Sequence, residues 1–121
     1  MDDYQFSQLL EKALESLPSE FKQKLRNVSI RFDDWPSNNH LQKAGIRQGL
    51  LLGLYEGIPN TKSHYQAKLP DVITLFKYPL MRVSRSYEEF ENNVRKTLIH
   101  EIAHHFGMNE EEVRSAERKL V

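Results

Sequence analysis

Residues 100–104 read His-Glu-Ile-Ala-His, an H-E-x-x-H pattern, in a stretch whose spacing predicts a helix. At about 100° of rotation per residue, His100 and His104 stand about 40° apart, one turn above the other. Two imidazoles so placed can grip one metal ion from the same side. Glu101 projects about 100° from His100 and about 60° from His104. It flanks such an ion without having to bind it, which suits a carboxylate that takes a proton from an activated water. The chemistry on offer is metal-assisted hydrolysis.

The surrounding residues fit that reading. Phe90, Val94, Leu98, Ile102 and Phe106 recur at helical spacing and form an apolar stripe centred away from the His100/His104 side. The ligands would therefore face a cleft and not the core. Ser86 followed by Glu89 is a capping-box start for this helix. Gly107 can take the left-handed conformation that ends a helix and turns the chain back. Three residues on stands Glu110, so residues 100–110 read H-E-x-x-H-x-x-G-x-x-E. A catalytic zinc takes three protein ligands and keeps one open position, and a carboxylate oxygen is an acceptable third donor. Glu110 also has a plainer explanation, because Glu110, Glu111 and Glu112 all sit where acids favour the first turn of a helix. His105 lies about 100° round from His104 and cannot share the metal with both other histidines. It is expected to pack or hydrogen-bond beneath the site. Tyr55 and Tyr65 are candidate oxyanion stabilisers, although tyrosine in a strand or loop more often packs half-buried. His40 and His64 have no nameable partner.

The extended pattern is that of metzincin-type peptidases, with Glu110 where a third histidine usually stands. The stretch Thr97-Leu98-Ile99-His100-Glu101-Ile102-Ala103-His104-His105-Phe106-Gly107 resembles the core of the small bacterial zincin-like metallopeptidases, the minimal zincin family. Leu52-Gly53-Leu54-Tyr55-Glu56-Gly57-Ile58-Pro59 and Leu69-Pro70-Asp71-Val72-Ile73-Thr74-Leu75-Phe76 resemble further segments of it. The resemblance covers roughly residues 20–120. It implies a compact α+β minimal zincin fold, in which a small mixed β-sheet packs against a long metal-binding helix beside N- and C-terminal helices. It also implies a bound Zn2+ and peptidase activity on an extended peptide or protein substrate. A Met-containing turn of the metzincin kind is not expected, since the last methionine is Met108. Nor is the third ligand of gluzincins, which comes from a separate helix well downstream; Glu117 is the one late alternative to Glu110.

The elements that must position these residues read as follows. An amphipathic helix over 3–17 is stopped by Pro18, and a short helix follows over 19–26. Val28, Ile30 and Phe32 alternate with polar residues in a strand over 27–33. Residues 38–48 hold a short helix. Strands are expected at 50–56 and 71–77, a polar loop over 58–70, and a turn at Pro79. The metal helix spans 86–106. Asn109 with Glu112 caps a last helix over 110–120.

Composition bounds the function. The 121 residues suit one domain over 1–121. Seventeen basic and 17 acidic residues cancel, so no general attraction to nucleic acid or an anionic membrane is expected. There is no cysteine, so a metal must be held by histidine and carboxylate. The acidic start Met-Asp-Asp-Tyr-Gln lacks an apolar core, and no run is long enough to span a bilayer, so a cytoplasmic protein is expected. The expected assembly is a monomer or weak homodimer. In the mechanism so implied, Glu101 accepts a proton from water and passes it to the leaving nitrogen, while a peptide adds to an edge strand, 50–56 or 71–77. Two other classes remain open: a zinc-binding regulatory or adaptor module without turnover, and a small metal-dependent endoribonuclease. Glu101 and the neutral charge balance argue against the second.

Overall fold

The computed structural model describes residues 1–46, 50–57 and 70–118. Helix α1 (Asp3–Glu15) and helix α2 (Ser19–Lys24) precede strand β1 (Val28–Asp33), helix α3 (Asn38–Ala44) and strand β2 (Gly53–Glu56). Strand β3 (Asp71–Phe76), helix α4 (Lys77–Arg82), helix α5 (Tyr87–His105) and helix α6 (Glu110–Arg118) complete the order. The fold is α+β. The expected loop over 58–70 lies almost wholly outside the described residues, as do His64 and Tyr65.

The sheet is small and mixed. Its order is β1-β3-β2, with β1 parallel to β3 and β2 antiparallel to it. Central position explains β3, whose last four residues are all buried and whose alternation is lost. β1 keeps the alternation read from its sequence, with Val28, Ile30 and Phe32 turned inward. Of the two candidate edge strands, the segment at 71–77 is the central one, and β2 forms the edge. β2 is shorter than expected, because Leu50, Leu51 and Leu52 run outside the ladder. Leu51 and Leu54 instead bury themselves with Phe76.

Helix α5 is the element around which the rest packs. It touches α1, α2, α4, α6 and two strands, β2 and β3. Ser86 caps it by accepting the Glu89 N–H at 3.1 Å, satisfying one of the donors that a helix start leaves open. Phe90, Val94, Leu98, Ile99 and Ile102 are buried against Phe6, Phe21, Ile73 and Leu80. Phe106 departs from the expected stripe. It stands just past the helix and is 44% exposed, covering Tyr55 and His105 edge-on. The expected turn at Pro79 is helical. Pro79 is the third residue of α4, where a missing N–H costs no intrahelical bond.

One glycine sets the spacing between sheet and helix. A Cβ on Gly53 would stand 2.7 Å from Thr97 Cγ2 and 3.1 Å from Leu75 Cδ2. Only a residue without a side chain lets the β2 edge lie this close to α5, one turn before Glu101. Gly53→Val should cost about 1–3 kcal/mol, the usual range for overpacking a filled site. An unchanged urea midpoint for this variant would show that the close approach is not required.

Candidate metal centre

The apolar side of α5 decides where its polar side looks. With Leu98, Ile99, Ile102 and Ala103 buried, His100 and His104 emerge on the exposed side, one turn apart. The helix then ends at a glycine. Gly107 has φ +66°, its N–H donates to the His104 carbonyl at 3.3 Å, and the Met108 N–H donates to the Ala103 carbonyl at 2.9 Å. This is a Schellman stop, which closes the last carbonyls of α5 and redirects the chain at once. Asn109 restarts it: the Glu112 N–H donates to Asn109 Oδ1 at 2.8 Å, and the Asn109 N–H donates to Glu112 Oε1 at 3.3 Å. α6 turns back along α5, with Ala116 fully buried.

That return brings a carboxylate to His100. His100 Nε2 and Glu117 Oε1 lie 2.7 Å apart. Glu110, the acid singled out by spacing, begins α6 with its side chain 89% exposed, and Arg114 Nη2 donates to it at 3.1 Å. His100, His104, Met108, Glu110 and Glu117 line one open cleft between α5 and α6. The last helix expected over 110–120 is present as α6, and it reverses along α5 at once because the glycine stop needs only a few residues to change direction. Glu117 was legible in one respect: it stands seven residues after Glu110, two turns on along the same face. Among the described residues no three metal-binding side chains converge on one point.

Glu101 faces the sheet. Its Oε1 accepts the Tyr55 N–H of the β2 edge at 2.9 Å. Burial pushes its carboxyl above the usual range, while the Tyr55 N–H and the nearby imidazoles of His104 and His100 work the other way. A groove follows this edge on both sides of Glu101. Gly53, Thr97 and His100 line one part of it, and Leu54, Tyr55, His104 and His105 line the other.

Behind the groove, Tyr55, Asp71 and His105 form a cluster. The Tyr55 hydroxyl donates to Asp71 Oδ2 at 2.8 Å, and burial together with that carboxylate pushes its pKa well up. The Tyr55 ring stacks on His105 at 3.8 Å, and His105 Nε2 is 3.8 Å from Asp71. The phenol considered as an oxyanion stabiliser thus has its proton on Asp71 in this structure, and the chain meets Glu101 through the Tyr55 backbone instead. His40 gains a role in packing and capping: its N–H donates to Ser37 at the start of α3, and its ring lies against Phe76.

The model of the zincin-like metallopeptidase family matches residues 25–120. The chain belongs to this family. A solved structure described as a conserved hypothetical protein from Thermus thermophilus is similar, with a TM-score of 0.58 and 25% identity. The match covers 88% of this chain and 94% of that one. A comparison with curated proteins gives no match. No helix among the described residues is long and apolar enough to cross a membrane.

Zincin-like metallopeptidases as a family imply a zinc cofactor. The donors present suit that ion in kind: two imidazoles one turn apart, carboxylates on the facing helix, and no thiolate anywhere in the chain.

Proposed function

We propose that this protein is a zinc-dependent peptidase that cleaves extended peptide segments laid along the β2 edge. The observation that carries the reading is the bond between Glu101 and the Tyr55 N–H, which joins the acid of the H-E-x-x-H pattern to the edge strand. His100 and His104, with a carboxylate of α6, would hold the zinc. When bound, the ion supplies Lewis acidity to the substrate carbonyl and makes water acidic enough to lose a proton near neutral pH.

The rest is work for the chain. In an antiparallel strand alternate residues turn both backbone groups to the same side. The Tyr55 N–H points off the sheet edge, so Gly53, two residues before it, presents its backbone there as well. An extended peptide can pair with these groups, taking over the Tyr55 N–H from Glu101. Glu101, released and partly desolvated, accepts a proton from water as the water oxygen bonds to the carbonyl carbon. It hands that proton to the amide nitrogen as the carbon–nitrogen bond breaks. Burial that raises its pKa suits a group that must both take and return a proton.

A second reading has its own support. His100 is closed onto Glu117, which is what a zinc-binding module without turnover could also show. The test is the appearance of new amino termini in an unfolded protein incubated with the zinc-loaded chain. Zinc binding without any cleavage across a peptide library would leave the module reading in place of the peptidase.

A further inference from the structure

We propose that the cavity between α3 and β2 is a side-chain subsite of the groove, selecting one large apolar residue of the peptide beside the bond to be cut. This rests on the peptidase reading above and names the class of substrate it takes.

The two faces of β2 meet different partners. Gly53 and Tyr55 turn towards α5, where Gly53 lies against Thr97 and the Tyr55 ring stacks on His105. Leu54 pairs with Thr74 and Glu56 with Val72, and both project from the opposite face. There Leu51, Leu54 and Phe76 form a small core of their own, against which Leu41 and Ala44 of α3 and Ile46 just past it are packed. α3 buries none of its own residues, so it covers this core without filling the space beside it. A cavity of about 360 Å³ is left, lined by Lys43, Ala44, Ile46, Leu51 and Leu54 and reaching Glu101 and His104 at its other end. That volume is at the lower end of the range for ligand clefts.

A peptide added to the β2 edge alternates in the same way, and residues directly opposite one another share a face. The peptide residue opposite Leu54 therefore projects into this cavity. Its two neighbours, opposite Gly53 and Tyr55, project towards α5, where Glu101 lies. The lining decides what the cavity takes. The charge at its rim, Lys43, is already engaged: its Nζ donates to Glu56, and His40 Nε2 stands 3.6 Å from the same carboxylate. What remains on the α3 side is aliphatic. A charged or amide side chain entering it would lose water without gaining a partner. A leucine, methionine or phenylalanine instead gains in proportion to the area it buries.

The test is the set of cut sites made in an unfolded protein, read by mass spectrometry for zinc-loaded wild type, Ala44→Leu and Ile46→Ala, each checked for helical content. One methylene in an apolar pocket is worth about 10–200-fold in kcat/KM, so one position within two residues of the cut should favour leucine over alanine by at least about ten-fold. Ala44→Leu narrows the cavity with a residue that helices tolerate well, and the leucine-to-alanine ratio should fall by at least about ten-fold. Ile46→Ala widens it and should move the preference from leucine towards phenylalanine, and it still reports if Ala44→Leu fails to fold. A wild type with no apolar preference near the cut, or a preference that neither variant moves, overturns the subsite. Binding needs no turnover and separates the subsite from the peptidase reading. Blocked pentapeptides with leucine or alanine between glycines are added to the Glu101→Gln protein. The leucine peptide should shift the amide resonances of Ala44 and Leu54 and bind at least about ten-fold tighter. If it does so while wild type cleaves nothing, the peptidase reading fails and the subsite stands. Equal binding of the two peptides overturns the subsite.

Discussion

Glu101→Gln should abolish hydrolysis while zinc binding stays at the wild-type level. A positioned acid–base contributes roughly 10²–10⁴-fold, so cleavage should fall by at least the lower figure. Gln cannot take a proton near neutral pH, yet its amide oxygen can accept the Tyr55 N–H as Glu101 does at 2.9 Å. The local structure therefore has no reason to change. Burial of Glu101 disfavours its charged form, so a neutral amide in its place removes a desolvation cost and should not lower stability. That separates chemistry from folding: the variant should melt no lower than wild type and still be inactive. The measurement is the rate at which new amino termini form in an unfolded protein, with zinc content determined on the same sample. Wild-type turnover in Glu101→Gln would make the glutamate a structural clasp between α5 and β2 and would end the peptidase mechanism.

His104→Ala should remove the metal. A mononuclear site built on two histidines of one helix turn loses its shared grip when either is taken away, so wild type should bind about one zinc per chain and the variant none at micromolar metal. His104 is the cleaner of the two to test. It lies on the exposed side of α5, and surface substitutions of that kind usually change stability by no more than about 0.5 kcal/mol. His100→Ala would also strip Glu117 of its partner, mixing two effects. The stoichiometry is read by elemental analysis after dialysis, and folding by far-UV circular dichroism. A folded His104→Ala protein that still carries one zinc per chain would place the metal elsewhere.

Much of the scaffold for this site follows from short-range patterns. The cap at Ser86, the apolar stripe of α5 through Ile102, the stop at Gly107 and the restart at Asn109 are each specified within a few residues. A helix with that stripe must turn His100 and His104 outward, so their exposure was legible before any tertiary contact. The same holds for β1, whose alternation needs one buried face and no more. Local signals misled where a residue's context reversed its usual meaning. Pro79 ends helices in general but sits in the first turn of α4, and Phe106 continues a periodic stripe after the helix carrying it has ended.

The sequence by itself determined that His100 and His104 stand one turn apart on the exposed side of α5 with Glu101 beside them, because one helix turn sets those relations. Only the tertiary structure decided what faces them. Glu101 is 46 positions from Tyr55, and their bond exists because Gly53 lets β2 press against α5. Glu117 is 17 positions from His100, and it arrives there because Ala116 is drawn into the core beside it. Spacing pointed to Glu110, since a pattern counts along the chain. Packing brought Glu117 to His100, since α6 folds back along α5 and an acid two turns further along the same face comes level with that histidine.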